Sequence, residues 1–348
     1  MKSLSYFCGI AALILALTAA TVVLSSPAKG KNQKAAKAVS ATQTKSGMIV
    51  PPFLSPGDKI AIITPSYATT DAKIKKALEI VRSWGYEPVL GPNVGKRFAK
   101  EYAGTVEERL SDIRWALKSP DIKAILCQRG GYGALHFVGM ISPEEFREHP
   151  KWLIGYSDIT TLLSMECCAG VLSIHGPMGN YMAFYDGKDT ATLMLRDLLG
   201  GKIPSYTLPA HRDNICGKAT GRLVGGNICT MAPVAGTDVD FTAEGDLILF
   251  IEEVEEGYHN IDRQLNILLK HGIIDRVKGV ILGDFTDCKA DLDYRSAEAL
   301  VASYFKGKGI PVCCGFPAGH GDWNWPLIIG ADVTLTVNPN GSSLSFKL

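Results

Sequence analysis

The sequence predicts an α/β fold: a mostly parallel sheet over about residues 50–185, followed by a second α/β unit. Three observations carry this. Lys59-Ile-Ala-Ile-Ile-Thr64, Ala124-Ile-Leu-Cys127 and Trp152-Leu-Ile154 are short apolar runs without polar alternation, as expected of strands buried on both faces. Stretches with apolar residues at helical spacing separate them. At 348 residues, the chain is long enough for two hydrophobic cores.

Taken in order, Lys59–Thr64 is bounded by Pro56-Gly57 and Pro65 and opens the sheet. A helix follows from about Asp71, with Ile74, Ala77, Leu78 and Val81 on one face, and ends before Gly85. Tyr86–Leu90 is the next strand. Thr105-Val-Glu-Glu108 is a capping box, in which the threonine hydroxyl and the Glu108 carboxylate satisfy free N–H groups reciprocally. Val106, Leu110, Ile113 and Leu117 continue that helix until Pro120 stops it. Strands Ala124–Cys127 and Trp152–Ile154 complete the alternation. The pattern loosens between Asp186 and Lys218, around a helix at Ala191–Leu199, and the interdomain linker is assigned to 186–218. The second domain, 219–348, holds strands at Asp246–Ile251, Val277–Leu282 and Ile310–Cys314 and helices at Ile261–His271 and Ala297–Tyr304. It closes on a hairpin, Val333–Val337 and Ser343–Phe346, around Asn338-Pro-Asn-Gly341.

The N-terminus has a different character. Residues 1–50 carry six lysines and no acidic residue. Lys2 precedes an almost unbroken apolar run, 7–24, trailed by Ser25, Ser26 and Ala28. Residues 1–26 therefore read as a signal peptide or an uncleaved membrane anchor, with export to the periplasm as the expected outcome. Residues 27–49, rich in Lys, Ala, Ser, Thr and Gln, read as a disordered spacer. The rest of the chain holds 30 of the 36 basic residues and all 35 acidic ones, a net charge of −5. It has no basic stripe with interleaved aromatics, which excludes nucleic acid as the expected partner. No C-x-x-C pair occurs, so a zinc site is not expected. Cys216 and Cys229 are the one loop-like pair for which a disulfide is worth testing.

The chemistry centres on Ser157. A buried strand runs into Gly155-Tyr156-Ser157-Asp158, and a helical pattern (Ile159, Leu162, Leu163, Cys167) starts at once. A serine at a sharp strand-to-helix turn is exposed and faces the free N–H groups of the first helical turn, which suits a nucleophile. The match to G-x-S-x-G is partial, since Ile159 stands where the last glycine would be; helix capping is the alternative role. Among seven histidines, His320 follows the strand Ile310–Cys314, at the sheet edge where ligand crevices form. His175, in Ser173-Ile-His-Gly-Pro177, is the second choice. The strand Leu247–Ile251 runs into Glu252-Glu253, and a carboxylate there can hold an imidazole in the right tautomer. The loop Arg129-Gly-Gly-Tyr-Gly133 follows Ala124–Cys127 and lets backbone N–H groups approach a substrate oxygen.

These residues, in this order, resemble the LD-carboxypeptidase family of serine peptidases, which includes muramoyl-tetrapeptide carboxypeptidases and microcin-immunity peptidases. The resemblance spans about 50–348. Its markers are Ser55-Pro-Gly-Asp-Lys-Ile60, Thr64-Pro-Ser66, Ala103-Gly-Thr with Arg109 and Asp112, the Arg129–Gly133 loop, and Ile154-Gly-Tyr-Ser-Asp158. His175-Gly-Pro177, Gly225-Gly-Asn227, Glu252-Glu-Val254, Tyr258, Ile261-Asp-Arg263 and Gly319-His320 complete the series. It implies an N-terminal Rossmann-like domain that supplies the serine and a C-terminal swivelling α/β domain that supplies the acid and histidine, with the site in the groove between them. It further implies a triad of Ser157 as nucleophile, His320 as base and Glu252 as orienting acid, Glu253 being the neighbour with which Glu252 is most easily confused. Oxyanion donors would be the Asp158 N–H and one from Gly130-Gly131, and substrate contacts Asn227, Tyr258 and Arg129. The implied activity removes terminal D-alanine from a peptidoglycan tetrapeptide without metal or cofactor, in a homodimer. Cleavage of a peptide–nucleotide toxin, an α/β-hydrolase esterase activity and non-catalytic binding of wall fragments are the alternatives.

Overall fold

The structure, a computed structural model, describes residues 42–348. The expected leader, its apolar run 7–24 and most of the spacer lie outside the described residues. The end of the spacer does not match its assignment. Two short strands, β1 (Thr42–Gln43) and β2 (Ile49–Val50), pair antiparallel. Ile49 N–H donates to Gly170 O at 2.7 Å and Leu172 N–H to Ile49 O at 3.0 Å, while Ser46 N–H donates to the Asp332 carboxylate at 3.1 Å. Paired backbone is therefore present before Val50, already at Thr42–Gln43. A polar composition reads as solvated, but here the backbone groups are paired and Met48 is buried.

Strands β3 (Lys59–Ile63), β4 (Glu87–Leu90), β5 (Ile122–Cys127), β6 (Trp152–Gly155) and β7 (Ser173–His175) form the expected parallel sheet in the order β4-β3-β5-β6-β7. Helix α1 (Asp71–Ser83) starts at Thr70, whose side chain accepts from Lys73 N–H, and α2 (Val106–Lys118) starts with the predicted capping box. The shorter helices α3 (Pro143–Arg147), α4 (Thr160–Cys168) and α5 (Gly179–Phe184) follow. The apolar strand residues are sealed from water, Ile60 to Ile63 at no more than 1 % exposure. Each buried isoleucine among them contributes roughly 1.5–3 kcal/mol.

The predicted linker is only partly a connection. It contains α6 (Thr190–Leu199) and a strand, β8 (Ser205–Pro209), with Tyr206 and Leu208 buried between exposed neighbours. The second sheet adds β9 (Gly217–Asn227), β10 (Leu247–Val254) and β11 (Val277–Thr286), with helices α7 (Ile228–Met231), α8 (Tyr258–Lys270), α9 (Ile273–Arg276) and α10 (Ala297–Ser303). Strand β12 (Val312–Cys313) completes its parallel portion. Strand β13 (Leu327–Ile329) does not join this sheet; it pairs antiparallel with β7, so the chain re-enters the first sheet before returning. The predicted terminal hairpin is present as β14 (Asp332–Asn338) and β15 (Gly341–Lys347), with Asn338 and Gly341 paired at its end. The full order is β12-β11-β10-β9-β14-β15-β8.

Cys216 and Cys229 are both free thiols. The eleven-residue strand β9 lies between them, and at roughly 3.3 Å per residue it holds them too far apart to bond.

Candidate active site

Ser157 sits where β6 turns into α4. Its φ is +63°, a left-handed conformation that costs a residue with a side chain roughly 1–3 kcal/mol. A single 3₁₀ turn, Ser157–Ile159, leads into the helix. N–H groups at a helix start have no intrahelical acceptor, and Asp158 occupies such a position. Ile159, in place of the motif's last glycine, is completely buried. A methyl group at Gly155 would fall 2.6 Å from Ile159 Cγ2, so the space left by one glycine is taken by the isoleucine four positions on. From the other side, a methyl at Gly130 would fall 3.0 Å from Ser157 Cβ and 3.2 Å from its Oγ. The Gly130 backbone thus lies directly against the hydroxyl, whereas Gly131 turns towards the Tyr67 ring.

The Asp158 side chain anchors this turn. Its carboxylate accepts from the Ser66 hydroxyl at 2.5 Å and from Ala134 N–H at 2.9 Å. Burial pushes its carboxyl pKa up, against these hydrogen bonds and the charge of Arg109. Arg109, 2 % exposed, donates to Pro65 O at 2.6 Å and Gly133 O at 3.2 Å. The Gly133–Ala134 end of the glycine loop is fixed in this way and tied to the segment after β3 at Pro65. Arg129 is half-buried, donates to Ala68 O at 2.8 Å and lies 5.6 Å from the Tyr67 ring centre.

The acidic pair at the end of β10 divides cleanly. Glu252 is completely buried, and its Oε2 lies 2.6 Å from His320 Nδ1. Glu253 instead accepts from Asn227 Nδ2 at 2.7 Å and Cys229 N–H at 3.0 Å. A register shift against β11 between Ile251 and Glu253 marks a bulge at this point, a device that re-aims side chains. A ring that donates from Nδ1 to Glu252 presents Nε2 as its free nitrogen. Burial draws the His320 pKa down, but the charge and hydrogen bond of Glu252, with Glu253 and Asp284, outweigh it and leave the pKa raised. The His320 side chain retains 16 % exposure.

Tyr156, the residue before Ser157, meets the His320 ring edge-on at 5.0 Å between centres. Asn227 N–H donates to Thr160 Oγ1 at 3.2 Å. The start of α4 therefore meets the end of β9. Among the described residues, no hydrogen bond joins the Ser157 hydroxyl to His320; catalytic contacts of this kind commonly tighten only with substrate bound. Asn227 is committed to Glu253 and Thr230. Tyr258 is buried at the first turn of α8 and makes no hydrogen bond to Ser157, Glu252 or His320.

His175, the second-choice base, is completely buried, and burial pushes its pKa down to about 4. It packs edge-on against Phe250 at 4.9 Å, and neither ring nitrogen has a well-formed hydrogen bond, although Asn324 lies alongside. Ser66, which falls in the Thr64-Pro-Ser66 marker, belongs to the site's surroundings, as do Thr160 and Asp284, which carry no separate sequence signal. Among the described residues, no group of three or more His, Cys, Asp or Glu side chains is arranged to hold a metal ion.

Comparison with known proteins bears on this arrangement. Residues 60–176 match the model of the LD-carboxypeptidase N-terminal domain, and residues 220–335 that of the C-terminal domain. The murein tetrapeptide carboxypeptidase of Pseudomonas aeruginosa is 31% identical over 77% of this chain and 90% of its own length. The microcin C7 self-immunity protein of Escherichia coli is 25% identical over 84% of this chain and 94% of its own. The crystal structure of muramoyltetrapeptide carboxypeptidase from Oxalobacter formigenes superposes with a TM-score of 0.74 at 26% identity, covering 83% of this chain and 98% of that one.

Proposed function

The chain belongs to the LD-carboxypeptidase family of peptidases, and from that premise we propose that it is a serine-type enzyme that removes terminal D-alanine from peptidoglycan tetrapeptides. Ser157 attacks the carbonyl of the third residue while His320 Nε2 takes its proton. The Asp158 N–H, with an N–H from Gly130-Gly131, stabilises the oxyanion; one such donor is typically worth ~10²–10³ in rate. D-Alanine leaves with the proton from His320, and water activated by the same imidazole releases the tripeptide from the acyl-enzyme. Glu252 holds the ring and stabilises its charged form. Of the candidate substrate contacts, the half-buried Arg129 is the one left partly accessible, Asn227 being bonded to Glu253 and Thr230 and Tyr258 being buried.

The observation that carries this reading is the 2.6 Å contact between Glu252 and His320, one aromatic ring away from a serine held at φ +63°. The test is digestion of a defined muropeptide followed by mass spectrometry. Wild-type protein should convert tetrapeptide to tripeptide, and Ser157→Ala should lose at least ~10³-fold in turnover while retaining its folded circular dichroism. Wild-type rates in that variant would remove Ser157 from the mechanism.

The likeness to a microcin self-immunity protein supports a second reading, cleavage of a peptide–nucleotide by the same triad. Assaying the tetrapeptide beside an aminoacyl-sulfamoyl adenosine separates the two. The apolar run 7–24 supports export, which cell fractionation tests. The implied homodimer is tested by light scattering.

A further inference from the structure

His320 lies in a turn, Gly319-His320-Gly321, that passes over the end of β11. Asp284 N–H donates to Ala318 O at 2.9 Å, so the turn begins on the strand that carries Asp284. No side chain fits beneath it. A methyl at Gly319, whose φ is +134°, would fall 3.1 Å from Glu252 Cβ and 3.3 Å from Asp284 Cβ. A methyl at Gly321 would fall 2.6 Å from Asp284 Oδ2. The Gly321 N–H faces that carboxylate, whose Oδ2 is buried without a well-formed hydrogen bond. Glu252 lies against the same turn, and its Oε1 is likewise buried and unpartnered. Two carboxylates from adjacent strands therefore underlie one imidazole, and only Glu252 touches it.

We propose that Asp284 is a positioning residue for His320, holding the Gly319–Gly321 turn through its main chain and adding a second negative charge beneath the ring. The proposal rests on the role given to His320 above. Asp284 is faced by Glu252 from β10, Glu298 from α10 and His320 from the turn. Burial, reinforced by the two glutamates, pushes its pKa up to about 6. Its charge is thus present above that value and absent below it, and the support it gives the imidazolium follows the same course.

The experiment is an NMR titration of the His320 ring in the full chain, alongside the pH profile of kcat/KM on tetrapeptide. Asp284→Asn keeps the shape and an acceptor for Gly321 but removes the charge. The His320 pKa should fall by about half a unit or more, and the acid limb of the profile should move down with it. Asp284→Ser, a second way to remove the charge, should shift both the same way, and Asp284→Glu should recover most of the difference. A His320 titration unchanged in Asp284→Asn and Asp284→Ser would overturn the proposal. The ring titration does not depend on turnover: a His320→Ala variant that remained fully active would sink the base assignment, while the NMR result would still decide the role of Asp284.

Discussion

The two sides of the site are built from different materials. The Ser157 side is backbone: a left-handed serine, glycines at 130 and 155 that leave room for close approach, and hydrogen bonds accepted by Asp158 and donated by Arg109 that fix the loops. The His320 side is charge: Glu252 completely buried, Glu253 beside it, and Asp284 under the turn. A hydroxyl needs only to be aimed, since its base lies elsewhere. An imidazole needs its tautomer and proton affinity set as well, and that takes carboxylates. The two sides should therefore fail differently, one through folding and the other through pH dependence.

The largest effect is expected from Glu252→Gln. Losing the orienting carboxylate should cost about 10³–10⁴ in kcat. The same change removes the main influence that raises the His320 pKa. Because the neutral ring is the active base, kcat/KM rises with pH through that pKa, and residual activity in the variant should persist to lower pH. Glu253→Gln, which alters a carboxylate bonded to Asn227 and Cys229, should cost less than about tenfold by the same comparison. Equal losses in both variants would erase the division between the two glutamates. Gly155→Ala tests the other side. Its methyl would collide with Ile159, and overpacking of this sort costs about 1–3 kcal/mol. Urea denaturation should show the loss, with the acid limb of the rate profile unmoved. The smallest effect is expected from His175→Leu. This histidine is buried and poorly hydrogen-bonded, so an apolar residue of similar volume should leave the melting temperature unchanged or raised and turnover within a few-fold.

Much of this was legible in the sequence because strand ends announce themselves. Apolar runs that stop at Gly155 and at Glu252, and the glycine-rich turn after Cys314, each placed a polar side chain at a sheet edge. What the linear order hid has a physical cause in each case. Strand β9 contains Gly221, Gly225 and Gly226, which break the hydrophobic pattern; a side chain on Gly225 would strike the Phe250 backbone. Strand β13 has only three residues, too few for a period. Residues 42–49 look solvated by composition, yet their hydrogen bonds run to Gly170, Leu172 and Asp332, far along the chain. Asp284 is one acid within an otherwise ordinary strand and gains meaning only from the turn laid across it.

The return of β13 to β7 has a consequence for dissecting the molecule. Leu327, Ile328 and Ile329 cover the outer edge of the sheet that presents Ser157. A fragment ending anywhere between the two matched domains would leave the row of N–H and C=O groups at Ser173–His175 bare, an adhesive border ready to recruit another chain. The halves are thus poor candidates for separate expression, and a split version of the protein should precipitate unless both pieces are made together.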